Sequence, residues 1–285
     1  MINFGRDGIS PQKNNNMTPP SNRNIYFLRA LFILFFIGKC FGQNQVETGF
    51  LDRTVTVDGV AYPYQVYIPS NYAGVTQRWP VILFLHGSGE RGNNGLLQTN
   101  GSLGNAIRLN SARYPVIVVF PQAPLDSIWT GTPAIAAMSA LERTMHEYQT
   151  DSNRVYLTGL SMGGNGAWYL AYRYASKFAA LAPLCGWVIP FSSWARYKDA
   201  VVPGDTAVAY DQLARKLGRL PTWIVHGEED PVVPVQQSRR AAAALQKSGA
   251  DVHYTEMPGI GHNCWDAAYN SSSFITWLFS QRRSK

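Results

Sequence analysis

Hydrophobic residues along the chain fall into two alternating kinds of segment. Short, nearly continuous apolar runs are typical of strands that are buried on both faces, whereas longer segments with helical spacing predict helices. The predicted strands are Val81–Leu85, Val116–Phe120, Val155–Thr158, Ala179–Leu184, Thr222–Val225 and Val252–Glu256. The predicted helices are Ala134–Gln149, Gly166–Tyr174, Val235–Lys247 and Ala267–Phe279. This alternation predicts a parallel sheet covered by helices on both faces, with functional residues at the carboxyl ends of its strands.

Two further segments complete the predicted architecture. Thr54–Val57 and Tyr64–Ile68 flank Asp58-Gly59, a favoured hairpin turn, and predict an antiparallel start to the sheet. Residues 187–219 follow no clear periodicity and are the candidate lid. Because this segment is short, we expect an open or partly covered cleft and no large cap.

The most informative motif is Gly159-Leu160-Ser161-Met162-Gly163, between a predicted strand and a predicted helix. A serine between such a strand and helix stands exposed on a sharp turn, where only glycine fits the neighbouring positions. The amino end of the following helix also favours negative charge that develops beside the serine. The motif therefore predicts that Ser161 is a nucleophile.

A nucleophilic serine needs a histidine base, and five histidines occur in the chain. His262 lies in a glycine-rich loop late in the sequence, which suits a base. The other four have structural or solvated positions: two precede a glycine at a strand end, one lies in a charged helix and one alternates within a strand (His86, His226, His146 and His253). We therefore predict that His262 is the general base.

The acid that orients this base is expected between the serine and the histidine in the chain. Glu228, Glu229 and Asp230 are adjacent in a loop that follows a predicted strand. Asp230 precedes Pro231, which keeps it extended, and its short side chain is easily fixed toward an imidazole. Asp230 is the predicted acid, and Glu229 is the alternative.

An oxyanion hole is also needed, and the loop after the first parallel strand, His86 to Gly92, is suited to form part of it. In such an arrangement one backbone N–H from this loop and one from the residue after the nucleophile bind the oxyanion of the tetrahedral intermediate. The predicted donors are Met162 and Ser88, with Gly89 as the alternative to Ser88.

Together these motifs resemble the α/β-hydrolase esterases, and most closely the secreted predicted peptidases, feruloyl or acetyl-xylan esterases and polyhydroxyalkanoate-depolymerase-like proteins. The matching segments span residues 81–265. The resemblance implies hydrolysis of an ester, from a small molecule or a polymer, through an acyl-enzyme without metal or organic cofactor. Two alternatives are a serine peptidase of the prolyl-oligopeptidase type and a non-catalytic binding protein on a hydrolase scaffold. Degenerate scaffolds usually lose a triad residue, and none is lost here.

The amino-terminal region has the features of an export signal. Arg23 and Arg29 flank Ile25–Leu28, and an apolar core, Ala30–Ile37, follows them. This core is too short to span a bilayer and suits a secretory signal. We expect residues 1–42 to be a signal peptide with a polar extension, and residues 43–285 to form one catalytic domain. An uncleaved anchor, lipidation at Cys40 and a start at Met17 are the alternatives.

Charge gives no support for a nucleic-acid partner. The formal net charge of +7 falls to +3 without residues 1–42, because that segment contains five of the 25 basic and one of the 18 acidic residues. No cluster of Lys and Arg remains in the rest of the chain. We therefore expect membrane contact only through the amino-terminal signal.

Two cysteines and two tryptophans have open roles. Cys185 and Cys264 lie at the same predicted sheet edge, where they could form a disulfide or remain buried thiols. Trp129 and Trp187 lie in strand-end loops and are the candidate substrate-binding residues. Packing in the core is the alternative for each tryptophan.

Overall fold

A computed structural model describes residues 46–72, 77–197 and 199–283. The predicted signal peptide, residues 1–42, lies outside the described residues. The described chain forms an eight-stranded sheet in the order β1-β2-β4-β3-β5-β6-β7-β8. The strands are β1 Gly49–Val57, β2 Val60–Ile68, β3 Trp79–Leu85, β4 Ile117–Pro121, β5 Thr150–Leu160, β6 Ala180–Leu184, β7 Thr222–Gly227 and β8 Val252–Met257. The pairs β1–β2 and β2–β4 are antiparallel, and the remaining pairs are parallel.

The predicted hairpin is confirmed at the start of the sheet. Asp58 and Gly59 both have positive φ angles, 50° and 78°, which is the conformation that a tight two-residue hairpin turn requires. The turn sets the β1–β2 register, in which Val57 pairs with Val60.

Seven α-helices are described in these parts of the chain, and they cover both faces of the sheet. They are α1 Ser102–Leu109, α2 Gly131–Glu147, α3 Met162–Tyr174, α4 Ala209–Leu217, α5 Gln236–Lys247, α6 Trp265–Asn270 and α7 Ser272–Ser280. Helices α2 to α5 contribute to one hydrophobic core and helices α1, α6 and α7 to the other. Strand β3 supplies Val81 and Leu83 to the first core and Ile82 and Phe84 to the second. This explains its continuous apolar run, because a central strand is buried on both faces.

The structure corrects the predicted helices in three places. Helix α1 was not predicted. Helix α4 lies inside the candidate lid, where its buried residues pack into the first core. The predicted helix Ala267–Phe279 is two helices separated at Ser271, where the backbone is extended. The Ser271 hydroxyl caps α7 by accepting a hydrogen bond from the Phe274 amide. Serine favours such a cap over a helix interior.

No helix in the described ranges combines the length and apolarity that crossing a membrane would require.

Candidate active site

Ser161 lies on the tight turn that joins β5 to α3. Its backbone has a φ of 52° and a ψ of −116°, a conformation that a non-glycine residue adopts only when its surroundings enforce it. A Cβ on Gly163 would lie 2.7 Å from the His86 carbonyl oxygen and still closer to that of Leu85. The elbow therefore needs glycine at this position because β3 passes directly against it.

His262 connects the serine to the acid loop. Its Nε2 lies 2.9 Å from the Ser161 Oγ, and its Nδ1 lies 2.7 Å from Asp230 Oδ2. The His262 side chain is 18% exposed, and the Trp265 ring packs perpendicular to it at a centroid distance of 5.3 Å. The imidazole can therefore pass a proton from the hydroxyl while the carboxylate holds the opposite nitrogen.

Asp230 has a fully buried side chain, and four nitrogen atoms lie within 3.1 Å of its carboxylate oxygens. Oδ1 accepts from the amides of Val232 and Val233, at 2.8 and 2.9 Å, and Oδ2 faces His262 and His226. Burial raises the pKa of Asp230, but the bonds from these donors outweigh burial and hold the pKa well below its ordinary range. The carboxylate is therefore ionised at neutral pH.

The neighbouring acids have no such surroundings. Glu228 and Glu229 are both exposed. The Glu228 carboxylate accepts a bond from the Gly259 amide at 3.2 Å. Of the three adjacent acids, only Asp230 contacts His262.

Each of the two predicted oxyanion donors is the first residue of a helical turn, and the two turns follow neighbouring strands. Met162 is the first residue of α3, so its amide has no acceptor within the helix. Ser88 is the first residue of a short 3-10 turn, Ser88–Glu90, after β3. Strands β3 and β5 pair directly, which brings both turns to the same edge of the sheet.

His86 has the structural role predicted for it. Its Nδ1 donates to the Gly87 carbonyl at 2.6 Å, and its Nε2 accepts from the Ala123 amide at 3.0 Å. Burial is the main cause that lowers the pKa of His86 to about 4, so the ring is neutral at physiological pH. His86 thus fixes the loop after β3 to the loop after β4.

His226 has a role that sequence reasoning did not identify. Its Nε2 lies 3.1 Å from Asp230 Oδ2 and 3.0 Å from the Val233 carbonyl oxygen, while its Nδ1 lies 2.7 Å from the Ser238 hydroxyl. The available signal was the spacing His226-Gly227-x-x-Asp230, with the glycine at a strand end. That spacing lets the histidine turn back toward the acid.

Trp129 and Trp187 are buried, with exposures of 1% and 2%. The Trp129 ring packs on His86, and its indole nitrogen donates to the His86 carbonyl at 2.9 Å. Trp187 packs against Trp194 at a centroid distance of 4.7 Å. These contacts favour the packing alternative for both tryptophans over the substrate-binding alternative.

Cys185 and Cys264 are free, buried thiols. The sulfur of Cys185 and ligand atoms of Asp230 and His262 lie within 4.8 Å of one another, which is close enough to hold a metal ion. Metal binding there would require the loss of the His262–Asp230 bond and of the thiol proton. Burial raises the pKa of Cys185 well above its ordinary value, so the donor set suits a hydrogen-bonded triad better than a metal.

Comparison with known proteins identifies the protein family. Residues 134–278, just over half of the chain, match the prolyl oligopeptidase family. The chain belongs to this family. The match begins in α2 and ends in α7, so it includes Ser161, Asp230 and His262.

Three similar proteins extend the comparison. An uncharacterized secreted protein of Arthroderma benhamiae is 26% identical over 69% of this chain, and a poly(3-hydroxyoctanoate) depolymerase of Pseudomonas fluorescens is 29% identical over 70% of it. The crystal structure of a thermostable esterase is 31% identical over 82% of this chain, with a TM-score of 0.70. The chain spans 22% of the Arthroderma protein, 73% of the depolymerase and 63% of the esterase chain. The predicted α/β-hydrolase fold is confirmed.

Proposed function

We propose that this protein is a serine hydrolase that cleaves carboxylic esters. The observation that carries the proposal is the continuous chain of short hydrogen bonds from Ser161 through His262 to a buried, ionised Asp230. Similarity to an esterase of known structure and to a polyester depolymerase supports an ester as the substrate.

The proposed reaction has two stages. His262 takes the proton of the Ser161 hydroxyl as Oγ attacks the ester carbonyl, and Asp230 stabilises the imidazolium that forms. The amides of Met162 and Ser88 bind the oxyanion, and each such donor contributes about 3 kcal/mol to transition-state stabilisation. His262 then protonates the leaving alcohol, and water releases the acid from the acyl-enzyme.

Replacement of the nucleophile tests this function. Hydrolysis of p-nitrophenyl acetate and butyrate by Ser161→Ala should fall by at least about 10³-fold, because the triad acts as a unit. Ser152→Ala, at an exposed serine near the start of β5, is the matched control and should keep full activity. Equal turnover by Ser161→Ala and the unmodified protein would refute the serine mechanism.

A substrate panel separates the remaining candidates. We propose short-chain or aromatic acyl esters and polyesters, and the panel comprises methyl ferulate, acetylated xylan and a poly(3-hydroxyoctanoate) film. The family match favours a peptidase as the second candidate function. A prolyl p-nitroanilide peptide therefore belongs in the same panel, and its cleavage in preference to every ester would favour the peptidase.

We also propose that the protein is exported, with a new amino terminus near Gln43. The charged flank and short apolar core of residues 23–37 support this, as does the similarity to a secreted protein. Expression in a secreting host should yield active product outside the cytoplasm, with its amino terminus identified by mass spectrometry. Full-length protein that only detergent extracts would support the anchor instead.

A further inference from the structure

We propose that His226 is a positioning residue for the Asp230 carboxylate and that Ser238, in helix α5, fixes its tautomer. This inference rests on the proposed ester hydrolase function. It extends the predicted triad to five side chains, in the order Ser161, His262, Asp230, His226 and Ser238. Every contact in this series is 3.1 Å or shorter.

The neighbours of the His226 ring determine where its proton lies. Nε2 faces two acceptors, Asp230 Oδ2 and the Val233 carbonyl oxygen, so this nitrogen must carry the hydrogen. In the neutral ring Nδ1 is then an acceptor, and the Ser238 hydroxyl at 2.7 Å donates to it. The opposite tautomer would turn a lone pair toward a carboxylate and a carbonyl, which is unfavourable.

Burial makes this arrangement consequential. The side chains of His226 and Asp230 are both 0% exposed, and Ser238 is 1% exposed. Water therefore cannot replace a lost donor at Asp230 Oδ2, and a buried carboxylate that loses one of its donors is destabilised. Both imidazoles contact Oδ2 of Asp230. His226 therefore holds in place the same carboxylate oxygen that orients His262.

The groups that face Asp230 define its electrostatic surroundings. They are the two imidazoles, the amides of Val232 and Val233, and the buried thiol of Cys185. Each of the four nitrogen donors favours the ionised carboxylate. If His226 is removed, the negative charge of Asp230 is shared by fewer donors, which strengthens its attraction for a protonated base.

Two substitutions separate positioning from simple packing. The amide nitrogen of glutamine can occupy the Nε2 position and donate to Asp230, whereas asparagine reaches only as far as Nδ1. We expect His226→Asn to lower kcat, and the rate of labelling by a fluorophosphonate, about 10- to 100-fold with little change in KM. His226→Gln should stay within about threefold of the unmodified protein. His146→Gln, at an exposed histidine of α2, is the matched control and should change neither rate.

The pH dependence gives a readout that packing alone would not move. The acid limb of kcat/KM reports protonation of the base in the free enzyme. In His226→Asn this limb should move to higher pH, by about one unit if the lost donor is worth about tenfold. Equal losses in the asparagine and glutamine variants, with unmoved acid limbs, would overturn the proposal.

A measurement on the unmodified protein keeps the test decisive if His226→Asn does not fold. Long-range ¹H–¹⁵N spectra of the histidine rings should show the hydrogen of His226 on Nε2, and that of His86 on Nδ1. An Nδ1–H tautomer at His226 would overturn the proposal. If the unmodified protein neither reacts with fluorophosphonate nor cleaves any ester, the proposed function fails, whereas the tautomer can still be read independently.

Discussion

Substitution of Gly163 by alanine tests how closely the elbow depends on its contact with β3. An added Cβ would lie 2.7 Å from the His86 carbonyl oxygen and closer still to the carbonyl of Leu85. Real Cβ atoms essentially never approach within 3.0 Å. Because the obstructing atoms are backbone, they cannot turn away as the end of a flexible side chain could.

The size of the effect follows from which backbone must move. Overpacking of this kind costs about 3 kcal/mol of unfolding free energy, which lowers Tm by about 6–12 °C in a domain of this size. The displaced segment leads into Ser88, a predicted oxyanion donor. A misplacement of about 1 Å there should lower kcat about 100-fold.

Thermal unfolding by circular dichroism and p-nitrophenyl butyrate hydrolysis measure the two effects. Gly101→Ala is the matched control, because its added Cβ would meet nothing within 4 Å and its φ is −145°. The control should keep its activity, and its Tm should fall far less than that of Gly163→Ala, because alanine at this helix N-cap costs at most about 1 kcal/mol. If Gly163→Ala unfolds at the unmodified temperature with unmodified kcat, the elbow does not depend on this close contact.

Two further substitutions test the acid and the neutral histidine. Asp230→Asn should lower kcat about 10³- to 10⁴-fold because the amide favours the wrong tautomer of His262, while exposed Glu229→Gln should keep activity; the reverse result in the same ester assay would make Glu229 the acid. His86 has its pKa lowered from 6.5 to about 4, so the unfolded state binds the proton first and stability should fall by about 2 kcal/mol between pH 7 and 5. Urea unfolding at both pH values should show a smaller loss in His86→Gln, and an unchanged loss would contradict the assignment.

The sheet could be predicted from the sequence because its strands have an unambiguous pattern. Strands β3 and β4 are buried on both faces, so their apolar runs are continuous. Helix α4 was missed for the opposite reason. It is charged on its outer face and lies in an irregular segment, and only its contacts with the first core show why it is helical.

Those parts of the candidate site that depend on chain order and on turn-forming residues could be predicted from the sequence. Ser161, Asp230 and His262 each lie within two residues of a glycine or proline, and those residues mark turns. His226 carries the same mark, yet its contact with Asp230 depends on the path of the loop between them. The two tryptophans are buried, and the sequence left packing and substrate binding open for them, since a strand-end loop can fold an aromatic ring inward as readily as toward a cleft.

The sheet order also explains a glycine that lies outside the serine motif. Strand β8 is an edge strand, and β6 and β7 separate it from β5. The loop after β8 must therefore return across β7 to bring His262 to Ser161. A Cβ on Gly227, at the end of β7, would lie 2.9 Å from the Ile260 carbonyl carbon and closer to two carbonyl oxygens of that loop. The Glu229 amide bonds to the Ile260 carbonyl at 3.0 Å. The acid loop therefore supports the base loop directly, and the Asp230–His262 bond joins two segments whose backbones are already in contact.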